Sequence, residues 1–128
     1  MPANYSVTKA LIDWLLDLGF DAHANVPGSI PSYGMVTVER TGGYVADLVD
    51  HAEMAVQCWG ETDLAAATLA DDVRNYLLTH YSNYRPRPVG TYAISVSAGP
   101  YRFYDEATRR PCYQLVLDVT CQLITMPI

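Results

Sequence analysis

The sequence predicts an α+β fold in two layers, in which two helices cover one face of a mixed or mostly antiparallel sheet. Two segments have the periodicity of amphipathic helices, and several others alternate apolar and polar residues as strands do. These segments follow one another in the order helix, strands, helix, strands. The 128 residues are the size of one domain, so we expect a single domain over residues 1–128.

The first helix is predicted over about residues 5–18. Asn4 or Ser6 can cap its N-terminus, and Gly19 can supply the left-handed conformation that ends it. The apolar side chains recur at the spacing of one helical face. They are Val7, Leu11, Trp14, Leu15 and Leu18.

Three strands are predicted before the second helix. A short one lies around residues 21–26 and precedes an irregular loop rich in proline and glycine. The next covers residues 35–40 and is expected to stop at Gly42-Gly43. After a short acidic turn, the third covers about residues 51–59. Its alternation directs one set of side chains to the core. That set is Ala52, Met54, Val56 and Cys58.

The second helix is predicted from Thr62 to about Tyr81. The segment Arg85-Pro86-Arg87-Pro88 ends it and forms an extended linker. Two long strands follow, over residues 91–97 and about 111–124. Residues 99–110 between them are too long and too aromatic for a simple turn, so we expect a long protruding hairpin. The apolar stripe of the helix is Ala66, Leu69, Val73, Tyr76, Leu77 and His80.

The composition disfavours several classes of function. The formal net charge is −6, which opposes general nucleic-acid binding because such binding needs a basic surface. No apolar run approaches the roughly 20 residues of a membrane span, so no membrane partner is expected. The cysteines Cys58, Cys112 and Cys121 lack zinc-ligand spacing. Buried free thiols in a reducing compartment are the favoured interpretation.

No catalytic pair, metal site or cofactor site is predicted from the histidines and cysteines. Cys58 could be a nucleophile with His51 or His80 as its base. Strand alternation, however, sends His51 and Cys58 to opposite faces of the sheet. His23, His51 and His80 lack the spacing of metal ligands. Packing is therefore the favoured role of Cys58.

The acidic pairs and the double glycine have ordinary structural interpretations. Asp47 and Asp50 precede a strand, which is typical of a turn, and Asp71-Asp72 lie on a solvated helix face. Paired carboxylates could serve a hydrolase, but nothing in the sequence raises their pKa. Gly42-Gly43 is followed by a strand, whereas a phosphate-binding loop precedes a helix.

Contact with protein partners is the role that the remaining residues favour. Ten tyrosines are many for this length, and tyrosine is enriched in interface cores. Trp59 points away from the apolar set of its strand, so it either anchors a partner or packs under the following helix. Arg109 and Arg110 either solubilise the hairpin or pair with an acidic neighbour across an oligomer interface. The predicted interface residues are Trp59, Tyr101, Arg102, Phe103, Tyr104, Arg109 and Arg110.

The order and spacing of several segments resemble one family over nearly the whole chain, from about Val7 to Leu123. The matching segments are Pro27 and Pro31 before the strand at 35–40, Thr41-Gly42-Gly43, the run from Asp47 to Gly60 that ends in Val56-Gln57-Cys58-Trp59, the helix from Thr62 through Leu69-Ala70, Tyr101 with Phe103-Tyr104-Asp105, and Arg110 to Leu115. This pattern resembles the tail terminator, or tail completion, proteins of long-tailed phages and prophages.

The resemblance implies a structural protein of the virion neck, assembled in the host cytoplasm. Such subunits form a hexameric ring that caps the tail tube, ends its polymerisation and docks to the head connector. DNA passes through the channel without specific binding. The alternatives are a head–tail joining protein of the same neck, a small cytosolic cysteine- or carboxylate-dependent hydrolase, and a soluble adaptor or antitoxin-like protein.

Overall fold

The chain has the α+β fold that its sequence predicts, and the described residues form two helices and a five-stranded mixed open sheet. A computed structural model describes residues 3–4, 6–26, 34–82, 91–122 and 124–125. The elements in chain order are β1 (Ala3–Asn4), α1 (Val7–Asp17), β2 (Ala22–His23), β3 (Met35–Ala46), β4 (Val49–Trp59), α2 (Asp63–Ser82), β5 (Thr91–Arg102), β6 (Cys112–Gln122) and β7 (Ile124–Thr125).

The strands follow the order β2-β3-β4-β6-β5 across the sheet. β2 pairs in parallel with β3, and the other neighbours are antiparallel, which makes the sheet mixed. β1 and β7 pair with each other in a separate two-stranded sheet. The strand predicted around residues 21–26 is therefore confirmed only as the two residues of β2.

Both predicted helices form, and each begins at a side-chain cap. Ser6 Oγ accepts a hydrogen bond from the Lys9 N–H at 3.3 Å, and Thr62 Oγ1 accepts one from the Ala65 N–H at 3.0 Å. Gly19 follows α1 with φ +98°, the left-handed conformation expected at its end. The buried helix residues are Val7, Leu11, Trp14 and Leu15 in α1 and Ala66, Ala70, Val73 and Leu77 in α2.

The predicted stripe of α2 needs two corrections. Tyr76 is exposed on the helix surface, where its ring makes an edge-on contact with Phe20 at 5.6 Å between centroids. Ala70 takes an inward position that the prediction omitted. The side chain of His80 and the predicted linker at 85–88 lie outside the described residues.

The prediction that β3 stops at Gly42-Gly43 is wrong. The strand continues through both glycines to Ala46, because a register shift between Arg40 and Gly42 absorbs the irregularity. Gly43 has φ +112°, which a residue with a side chain would adopt only under strain. Asp47 and Leu48 then form a two-residue turn into β4, with φ +53° and +62°.

The long protruding hairpin predicted over 99–110 is not confirmed. β5 continues to Arg102, and Tyr101 pairs with Gln114 inside the sheet. The connection to β6 is a loop over residues 103–111, in which the Asp105 carboxylate accepts hydrogen bonds from the Thr108 N–H at 3.0 Å and its hydroxyl at 2.6 Å. These bonds hold the pKa of Asp105 below its usual value.

The main core lies between the two helices and one face of the sheet. The predicted inward set of β4 is buried there, as are alternate residues of β3, β5 and β6. We call this side the covered face. The strand residues that line it are Ala22, Val36, Val38, Ala52, Met54, Val56, Cys58, Ile94, Leu115, Leu117, Val119 and Cys121.

Candidate functional site

The opposite side of the sheet, which we call the open face, carries the candidate site. Cross-strand register places Tyr44 beside His51, Glu53 beside Asp118, and Gln57 beside Gln114. A second, smaller apolar cluster lies at the β2 end of this face and contains no helical residue. It consists of Met35, Trp59 and Cys112, with Phe103 packed against them.

Trp59 belongs to this second cluster and is only 1% exposed. It therefore offers no surface to a partner, and no residue of the following helix belongs to its cluster. The sequence predicts that Trp59 either anchors a partner or packs under the following helix, and its position in the second cluster is neither of these. The indole is held instead by Met35 and Cys112, which are distant in sequence and meet it through strand pairing.

A line of hydrogen bonds crosses four strands from Trp59 to the edge of the sheet. The indole N–H donates to Thr37 Oγ1 at 3.0 Å, and the Thr37 hydroxyl donates to Gln57 Oε1 at 3.0 Å. Gln57 Nε2 donates to Gln114 Oε1 at 3.0 Å, and Gln114 Nε2 donates to the Tyr101 hydroxyl. Because an indole can only donate, the direction is the same throughout. This network fixes polar side chains that would be costly to bury unpaired.

The other end of the open face holds a groove of about 410 Å³. One wall is aromatic, because the rings of Tyr44 and His51 stack with centroids 4.5 Å apart and planes 17° from parallel. The other wall is acidic, because Glu53 and Asp118 lie directly opposite each other on β4 and β6. Thr41 Oγ1 donates to Glu53 Oε1 at 2.9 Å and supports one of the two carboxylates.

The turn between β3 and β4 exposes three large apolar side chains, which we call the hairpin tip. Tyr44 is 63% exposed, Val45 52% and Leu48 65%. Leu48 also has the left-handed backbone of the turn, a conformation that glycine or asparagine adopts at lower cost. Neither packing within the chain nor backbone preference explains a leucine here.

A two-pronged ion pair braces the base of this hairpin. Arg40 Nη1 and Nη2 contact the two oxygens of Asp50 at 2.6 and 2.7 Å. The Asp50 side chain is only 7% exposed, whereas that of Arg40 is 35% exposed. The hydrogen bonds to Asp50 raise the pKa of Arg40, so the guanidinium stays charged. The hairpin therefore projects its tip from a fixed base.

The predicted interface residues of the 101–110 segment are only partly at the surface. Tyr101 and Tyr104 are exposed, whereas Phe103 packs in the second cluster. Arg102 Nη2 lies 3.5 Å from Oδ2 of Asp63, at the start of α2. Arg109 is exposed, and its φ of +54° is left-handed. Arg110 is half-buried, so a smaller fraction of it is exposed than of Arg109.

The structure keeps the candidate nucleophile and base apart, as alternation predicts. Cys58 lies in the main core and His51 on the open face. Burial raises the pKa of the Cys58 thiol far above its ordinary value, that of Cys112 to about 12 and that of Cys121 to about 11. All three thiols are buried and free. Among the described residues no three metal-ligating side chains cluster.

Comparison of the chain with models of known protein families and with curated proteins gives no match. Within the described residues, no helix is both long enough and apolar enough to cross a membrane. The function is therefore inferred from the geometry of the hairpin tip and the open face. Sequence analysis missed the hairpin tip, although apolar residues on both sides of Asp47 were a signal for it.

Proposed function

We propose that the chain is a structural subunit of a phage virion neck, which assembles into a ring, most simply a hexamer. The ring would cap the tail tube, end its polymerisation and dock to the head connector, while DNA passes through the central channel. The observation that carries the proposal is the hairpin tip, because exposed apolar side chains on a braced element are typical of protein interfaces.

Unpaired strand edges add to the surface available for assembly. β5 is the last strand of the sheet, and β2 pairs with only Val36 and Thr37 of β3. The rest of β3, as far as Ala46, has no second strand partner among the described residues. Such edges join chains by strand addition. Different surfaces on one subunit support head-to-tail contacts, which close into a ring when the rotation permits.

The charge of the chain suits a channel through which DNA moves. A net charge of −6 repels phosphates and shortens their residence on the protein. Part of this charge lies on the open face, where Glu39 is exposed. A ring that presents acidic surface inward would guide DNA without retaining it.

Electron microscopy of the purified protein tests the proposal. We expect closed rings with a central hole, and we expect added protein to end the growth of tail tubes at a shorter length. Leu48→Asp should abolish the rings, because it places a charge at the hairpin tip. The matched control is Leu64→Asp, since Leu64 is at least as exposed as Leu48 but lies on α2 and not at the tip.

Two results would contradict the proposal. One is a wild-type protein that shows no closed assemblies and leaves tube growth unchanged. The other is a Leu48→Asp variant that forms the same rings as the wild type. Rings that bind head connectors but not tail tubes would move the assignment to the head side of the neck.

A further inference from the structure

The groove on the open face has the chemistry of a site for a cationic side chain. Tyr44 and His51 form its aromatic wall, and Glu53 faces Asp118 across the strands. Like charges directly opposite each other destabilise a sheet. No cation pairs with either carboxylate among the described residues. A cation between them would remove the repulsion.

A guanidinium suits these walls better than an ammonium does. It is planar, so it stacks on an aromatic ring while its N–H groups reach carboxylate oxygens. Bonds of this kind are stronger than neutral hydrogen bonds and fix an orientation. The geometry of the groove therefore favours arginine.

Arg109 is the arginine that the described part of the chain leaves available. Lys9, Arg40, Arg74 and Arg102 each lie within 4 Å of a carboxylate, and Arg110 also interacts within the chain. Arg109 has no ion pair among the described residues and is exposed. A hydrogen bond within the loop holds its backbone, because the Arg109 N–H donates to the Asp105 carbonyl at 2.9 Å.

Arg109 cannot reach the groove of its own chain. Its loop leads into β6 at Cys112, and Asp118 lies further along that strand. At about 3.4 Å per residue, the Cα atoms of Cys112 and Asp118 are roughly 20 Å apart, and the loop that carries Arg109 lies at the Cys112 end of the strand, so the arginine side chain does not span the distance. Any contact between the two must join different copies, with one arginine and one groove contributed by each copy.

We propose that Arg109 of one copy enters the groove between Tyr44, His51, Glu53 and Asp118 of the next copy. This inference rests on the self-association proposed above and assigns one contact of that interface. The occupant is a second copy because Arg109, which has no ion pair among the described residues, complements two carboxylates that also have none there. The contact is head-to-tail, so it repeats around a ring.

Charge reversal tests the contact in the full-length protein. Arg109→Glu and Asp118→Arg should each raise the dissociation constant of the assembly by about 30-fold or more, because like charges then meet between copies. Combining both changes in one chain should restore assembly. Mixing the two single variants should restore it as well, since every junction then joins opposite charges. Sedimentation velocity over a concentration series measures each case.

Matched controls carry the same charge changes on α2. Arg74→Glu and Asp72→Arg should assemble as the wild type does, and circular dichroism should show that every variant is folded.

The contact is overturned if either single variant assembles normally, or if neither the double variant nor the mixture recovers. Normal assembly of Arg109→Glu with loss in Asp118→Arg would show that another cation fills the groove. Each of these results leaves a wild-type ring, and hence the proposed function, intact. A wild type that is monomeric at every concentration overturns both.

Discussion

Replacing Gly43 by alanine is expected to destabilise the chain, whereas the same change at its neighbour Gly42 is not. Gly43 has φ +112°, and an added Cβ would lie 2.0 Å from the His51 carbonyl oxygen and 2.9 Å from the Cα of Ala52. Both contacts are with backbone, so β4 itself would have to move. At Gly42 the nearest atom to an added Cβ is a Glu53 side-chain oxygen at 3.8 Å, an ordinary contact.

The size of the effect follows from two costs. A residue with a side chain in a strained backbone region costs about 1–3 kcal/mol, and forcing atoms into a packed site costs about 1–3 kcal/mol more. We expect Gly43→Ala to lower the free energy of unfolding by about 3 kcal/mol. Gly42→Ala should raise it by about 0.5 kcal/mol, because alanine restricts the unfolded chain.

Urea unfolding of the two variants and the wild type, at one protein concentration, measures this difference. With an m-value of about 2 kcal/mol/M, Gly43→Ala should lower the midpoint by about 1.5 M. The fixed concentration matters because assembly stabilises the folded state by mass action. A Gly43→Ala midpoint equal to or above that of Gly42→Ala would refute the proposed course of β3 through the double glycine.

Three further perturbations test the base of the hairpin, the open face and the core. Asp50→Asn should cost about 2 kcal/mol in urea unfolding, less than a fully buried pair because Arg40 is 35% exposed; an unchanged midpoint would show that the pair does not brace the hairpin. Gln57→Leu should cost about 2 kcal/mol because it leaves two side-chain partners unsatisfied, and a stability equal to wild type would contradict the hydrogen-bond network. With pKa values of about 12 and 11, Cys112 and Cys121 are almost wholly protonated thiols at pH 8 and reach half ionisation only near those values. A chromogenic disulfide reagent should therefore react with no thiol of the native protein within minutes and with all of them in urea, and rapid native labelling would contradict the burial.

The fold class could be predicted because the strongest patterns in the sequence are local. The helical spacing of Leu11, Trp14 and Leu15 and the alternation of β4 each depend on a single element. The caps at Ser6 and Thr62 are equally local, and both predicted helices form next to them. Local patterns of this kind predict the observed elements because the apolar face that they define is the face buried in the core.

The course of β3 could not be predicted because glycine has two opposite meanings in a strand. Gly42-Gly43 resembles the end of a strand, yet here the pair lies within one and Gly43 supplies a positive φ beside a register shift. Because of the same error, the exposed hairpin tip beyond the glycines was not predicted. No strand was predicted over Tyr44 and Val45, which belong to β3 and are exposed.

The site depends on register, which a single sequence does not specify. Gln57 and Gln114 meet only because β4 and β6 pair in one alignment, and the same alignment brings Glu53 opposite Asp118. Trp59 shows the limit most clearly, since its neighbours come from other strands. The groove could therefore not be inferred from spacing along the chain.

The central claim is that this chain works by contact between copies of itself. Native mass spectrometry of the purified wild-type protein tests that claim most directly. We expect one closed assembly close to six times the 14.2 kDa mass of the chain, unchanged over a range of concentrations because a ring has no free ends. A single species at 14.2 kDa at every concentration would contradict the claim.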